Sequence, residues 1–145
     1  MTVPTVQVGL SYPKPRELLT KFFKISRTDT TGTKKAALPK GSVIGGAYVI
    51  GGVASDAATT ATISFGSSAT ATEYVSGFDV KTAATGEGYS PVGAAAVGST
   101  FGVPIATDVS VFGIYAETGT ASTTGGPWIV KLEYFVPGPN EGVDD

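Results

Sequence analysis

Trp128-Ile129-Val130-Lys131-Leu132-Glu133-Tyr134-Phe135-Val136 alternates large apolar residues with a second set that carries charge. Trp128, Val130, Leu132 and Tyr134 share one face, and Lys131 and Glu133 point away from it. A period of two is the signature of a half-buried β-strand, because successive side chains leave a pleated strand on opposite sides. The same rhythm recurs upstream. In Thr59 to Gly66, Ala61, Ile63 and Phe65 point inward with threonines outward. In Asp108 to Glu117, Val109, Val111, Gly113 and Tyr115 oppose Phe112 and Ile114. These three segments predict a core of Phe65, Phe112 or Tyr115, Trp128, Leu132 and Tyr134.

Working outward, Leu18 to Arg27 reads as a first strand with Leu19, Phe23 and Ile25 facing the core and Lys24 and Arg27 facing out. Asp29 to Lys35 is rich in Thr, Gly and Lys and predicts a polar loop, and Leu38-Pro39-Lys40-Gly41 a turn. Ser42 to Gly52 is apolar on both faces, Val43, Ala47 and Val49 on one and Ile44, Tyr48 and Ile50 on the other. That pattern suits burial on both sides, within the domain or between subunits. Glu73 to Lys81 predicts a short strand or an irregular excursion, Thr82 to Ser99 mostly loop, and Phe101 to Ile105 a further strand. Six to eight short strands without βαβ alternation predict an all-β fold, an antiparallel β-sandwich. Spacing alone leaves jelly-roll and immunoglobulin-like strand orders both open.

Composition agrees. The chain has 145 residues with 20 Gly and 9 Pro, about a fifth of the total, which breaks helices and suits strands joined by turns. The length fits a single core. Three parts are expected: an extended, proline-bearing N-terminal arm at 1–17, a sandwich at 18–137 and an acidic tail at 138–145. No run approaches the ~20 apolar residues needed to cross a bilayer as a helix. The N-terminal stretch shows no basic segment leading into an apolar one, so synthesis in the cytoplasm without a signal peptide is expected. Charge is lopsided: residues 1–40 hold eight basic side chains against two acids, and the rest holds two basic side chains against ten acids.

His and Cys are both absent. With them go the commonest general base, the thiol nucleophile and the ligands of most zinc, haem and iron-sulfur sites. The acids Asp56, Glu73, Asp79, Glu87, Asp108, Glu117 and Glu133 are scattered singly, without the paired setting that glycoside hydrolysis requires. Asp29 and Asp56 read as turn residues accepting backbone hydrogen bonds, because the D-x-D-x-D-G calcium spacing is missing. The glycine pairs Gly45-Gly46 and Gly51-Gly52 lack the lysine of a phosphate-binding loop and read as places where a strand bends or a backbone comes close. Lys21-Phe22-Phe23-Lys24 sets basic residues around aromatics, a nucleic-acid pattern, but phenylalanines at strand spacing read as core and the net charge is −2. No catalytic residue, cofactor, metal, nucleic acid or membrane is expected.

The order Leu38-Pro39-Lys40-Gly41-Ser42-Val43-Ile44, then Ala58 to Gly66, then Tyr74 to Gly86 resembles small structural proteins of tailed-bacteriophage virions, over well under half of the chain. The resemblance implies a jelly-roll-like module, often trimeric, and a non-enzymatic role as a capsid decoration, or cement, protein on the capsid surface. Its implied partners are the major capsid protein and further copies of itself. The alternative is a receptor- or glycan-binding tip or head-fibre module working through loops near Tyr89 or Thr118 to Gly126. On the decoration reading, contacts are expected from Val3, Val6, Val8, Leu10, Lys14 and Arg16 of the arm, from Lys34 and Lys35, and from Ile44, Tyr48 and Ile50. An extended arm gains order by binding, and its cations aid encounter with an acidic patch.

Overall fold

The computed structural model describes residues 17–70, 73–82 and 104–136, and the backbone at 90–91. The expected arm (apart from Glu17), the tail from 138 onward, Tyr89 and the start of the Phe101 segment lie outside the described residues.

Among the described residues eight strands form two antiparallel sheets. They are β1 (Leu19–Ile25), β2 (Thr33–Leu38), β3 (Val43–Gly51), β4 (Thr60–Gly66), β5 (Val75–Asp79), β6 (Ser90–Pro91), β7 (Val109–Thr118) and β8 (Trp128–Phe135). Sheet 1 has the order β1-β8-β3-β6 and sheet 2 the order β2-β7-β4-β5. The pairs β1 with β8, β2 with β7, β3 with β6 and β4 with β5 are nested inside one another. The chain is thus one long antiparallel ribbon wound into two sheets and closed by the β3–β8 and β4–β7 seams. That is a jelly roll.

The core lies between the sheets and follows the period-two reading closely. Along β8, Trp128, Val130, Leu132 and Tyr134 are buried and the residues between them are half-buried. Phe65 and Tyr115 are also buried, whereas Phe112 is half-exposed on the outer face of sheet 2. Two aromatic pairs tie the sheets together. Phe23 of β1 meets Phe65 of β4 edge-on at 5.6 Å, and Tyr115 of β7 stacks on Trp128 of β8 at 5.2 Å. Such pairs add about 0.5–1.5 kcal/mol beyond the area they bury.

Three expectations are corrected. Thr33 to Leu38, partly assigned to a loop, is strand β2: its lysines hide the period, and pairing with β7 supplies the order that the sequence lacks. Pro104 and Ile105, expected to end a strand, lie in an irregular segment where Ile105 exchanges backbone hydrogen bonds with Gly41 and Ser42. Ile44, expected on the face opposite Ala47 and Val49, joins them in the core at 1% exposure. The cause is a β-bulge. Pairing steps from Ile44 with Tyr134 to Gly46 with Glu133, so Gly45 is an extra residue that turns Ile44 inward.

Candidate interaction surface

The register defines the two ends of the sandwich. Ile25 pairs with Trp128, Gly51 lies opposite Ile129 and Thr60 opposite Thr118, so one end gathers the β1–β2, β3–β4 and β7–β8 connections. At the other end Leu19 pairs with Tyr134, which brings together the points where the chain enters β1 and leaves β8.

The loop end is braced by carboxylates. Asp56 accepts hydrogen bonds from the backbone N–H groups of Thr124 and Thr123, both at 2.8 Å, and from the Thr123 hydroxyl at 2.7 Å. Those donors hold its carboxyl down at a pKa of about 2. Asp29 accepts from the Ser26 N–H at 2.8 Å and pairs with Lys35 at 2.5 Å. Burial disfavours its charge, but Lys35 and Ser26 outweigh that and the pKa falls. The Tyr115 hydroxyl donates to Glu117 at 2.6 Å and, with its single proton used, accepts from Ser55 at 2.7 Å. Hydrogen bonds from Ser122 and Tyr115 keep the Glu117 carboxyl low. Arg27 donates to the Ser122 carbonyl at 2.7 Å, and Lys81 to that of Ala57 at 2.6 Å. On β5, Asp79 is lowered by the Thr82 hydroxyl. Asp56 fastens one connection to another, whereas Asp29, Asp79 and Glu117 brace their own turns; Asp29 and Asp56 accept backbone hydrogen bonds, as read from sequence. Among the described residues no group of three or more Asp, Glu, His or Cys is placed to hold a metal ion.

The outer face of sheet 1 differs. Phe22 is 62% exposed and Leu18, just ahead of β1 and at the same parity, is 58% exposed. Beside Phe22 in the register stands Lys131, and beyond it Tyr48. The Lys131 ammonium pairs with Glu133 at 2.7 Å and lies 5.6 Å from the centroid of the Tyr48 ring. Ile50 is the extra residue of a second bulge, between Val49 and Gly51, and is half-buried. The reading of Phe22 and Phe23 together as core is corrected for Phe22: the two follow one another in β1, so they leave the strand on opposite sides and only Phe23 reaches the core.

The structure divides the expected contact residues. Tyr48 and Ile50 lie on β3, in the interior of sheet 1, whereas Lys34 and Lys35 lie on β2 at the edge of sheet 2. Lys34 is exposed opposite Phe112. Lys35 is the extra residue of the β2 bulge and is drawn to Asp29. Ile44 is inside the core. The edge strands β1 and β2 touch, but their lysines point apart: Lys24 lies on the outer face of sheet 1, Lys21 at the parity of its core residues, and Lys34 opposite Phe112 on the outer face of sheet 2.

No family model matches the chain, and no curated protein matches it. A solved structure does. A chain described as cyanophage Pam1 capsid asymmetric unit is similar over 88% of this chain and 90% of its own, with a TM-score of 0.63 and 18% identity. The two chains share a fold. The agreement spans nearly the whole length of both, and at this identity the likeness is one of architecture.

Proposed function

We propose that the protein is a non-enzymatic structural component of a phage virion, a capsid decoration protein that binds the outer surface of the major capsid protein and stabilises the shell. The observation that carries this reading is the jelly roll matched almost end to end by a chain of a capsid asymmetric unit. Exposed apolar side chains beside the entry of the chain into β1, and the cations of β1 and β2, supply the chemistry of a docking surface. On this reading the arm residues Val3, Val6, Val8, Leu10, Lys14 and Arg16 reach the capsid together with Lys34 and Lys35. Tyr48 and Ile50 face a neighbouring copy in a homotrimer, and Ile44 takes no part. A ligand that binds the folded shell and not the disassembled one stabilises it by mass action.

The test adds purified protein to particles that lack it. Saturation at the copy number of the capsid lattice, with a raised shell melting temperature, is the expected result. Saturation at a few copies per particle without change in melting would favour a tip module instead. Deleting residues 1–15 should weaken attachment and flatten its salt dependence, because screening acts on the lost Lys14. Sedimentation should give a trimer.

A further inference from the structure

Strand β1 ends sheet 1, and its seven residues pair one to one with β8, Leu19 with Tyr134 through Ile25 with Trp128, without a bulge. A straight, unbulged edge strand is a template for one more strand, since among the described residues its outward backbone N–H and C=O groups have no ladder partner on that side. Natural edges are blunted by bulges, proline, covering loops and charged side chains, lysine above all. Among the described residues β1 has no bulge or proline and is guarded by charge alone, with Lys24 exposed on the outer face and Lys21 half-buried at the parity of Leu19, Phe23 and Ile25. Its neighbour on the same flank, β2, is interrupted by the bulge at Lys35 and so offers a poorer edge.

The side chains of β1 define what would pair with it. Phe22 stands 62% exposed on the outer face, and Leu18 follows it at 58%. Lys24 is exposed and Lys21 is half-buried. Arg27 and Lys35 are engaged elsewhere, by the Ser122 carbonyl and Asp29. Lysine along an edge repels a second basic strand, so the edge discriminates by charge.

We propose that the edge of β1 accepts an extended acidic segment of a partner protein as a fifth strand of sheet 1. Main-chain hydrogen bonds would hold it, apolar side chains would meet Phe22 and Phe23, and carboxylates would face Lys21 and Lys24. Antiparallel pairing against Leu-Thr-Lys-Phe-Phe-Lys-Ile predicts a complementary strand of the type Val-Glu-Val-Val-Glu-Thr-Val. The proposal extends beyond a virion role, because it concerns the chemistry of the added strand and not the assembly that supplies it.

The test uses that heptapeptide with blocked ends, and a control in which both glutamates are lysine. The expected result is binding of the acidic peptide at least tenfold tighter than the control, with slowed hydrogen exchange at amides of β1 and not of β5. Lys24→Glu should weaken the acidic peptide at least tenfold and Phe22→Ala several-fold. Both positions are exposed, so an unchanged circular dichroism spectrum is expected for each variant. N-methylation at alternate peptide nitrogens should abolish binding from one register. No binding at millimolar peptide, equal affinity for the two peptides, or binding without protection of β1 would overturn the proposal. Attachment to particles is scored separately, so loss of the virion reading leaves this outcome intact.

Discussion

At the scale of single residues, the acids of this chain act as fasteners. Asp56 is the clearest case, since three donors from Thr123 and Thr124 converge on it across the β3–β4 and β7–β8 connections. Its carboxyl titrates at about 2 in the folded protein against 3.8 ordinarily. A group with a depressed folded pKa stabilises the fold fully above its unfolded pKa and loses that contribution as pH falls through the folded value. Asp56→Asn keeps one acceptor oxygen and removes the titration. The variant should show a lower urea midpoint than the wild type above about pH 5, with the difference shrinking between roughly pH 4 and pH 2. A difference that stays constant over that range would mean that charge on Asp56 is not what holds the loops. Asp29, Asp79 and Glu117 are lowered as well, so the wild-type midpoint should itself fall with acidification. A turn-capping role for Asp29 and Asp56 was legible from their setting among Thr and Ser. The partners of Asp56 were not, because they lie 67 and 68 residues away.

At the scale of elements, the strands with clean alternation were readable and those with local irregularity were not. Strands β4 and β8 carry one apolar face each, so a period of two assigned both the element and its inward side, whereas in β7 it assigned the element and left Phe112 or Tyr115 open as the inward residue. β3 defeats that rule at Gly45, where one extra residue reverses the faces ahead of it and sends Ile44 into the core. β2 defeats it with Lys34-Lys35, a polar pair split by a bulge, one residue exposed and the other turned to Asp29. The inner faces also set a limit on volume. Gly113, at the centre of sheet 2 between β2 and β4, faces Ile25 of sheet 1, and a Cβ there would lie 2.8 Å from the Ile25 Cδ1 and Cγ1 atoms. Ile25 is fully buried and has little room to move. Gly113→Ala should therefore cost about 1–3 kcal/mol in a urea titration through overpacking. A neutral or stabilising result would show that the sheets can separate locally.

At the scale of the whole molecule, the nested pairing makes the two ends of the ribbon depend on each other. β8 lies between β1 and β3, and its four inward side chains are all buried. A chain ending at residue 127 leaves β1 and β3 without the strand that joins them and uncovers the inner face of sheet 2. It should show no cooperative thermal transition and no near-ultraviolet signal from packed aromatics. A cooperative transition in that fragment would mean that sheet 2 folds alone. Because β1 cannot pair until β8 exists, loop closure over nearly the full chain precedes the gain, and refolding of the intact domain is expected on a scale of milliseconds to seconds. The alternation of side chains, the absence of His and Cys, the turn chemistry and most of the core were determined by the sequence alone. Each depends on a residue and its near neighbours, where sterics and polarity act at short range. The nested strand order, the bulges that turned Ile44 inward and drew Lys35 aside, and the exposure of Phe22 on the end strand of sheet 1 were decided only by the tertiary structure. Each depends on which distant segment arrives alongside, and local preference carries no information about that.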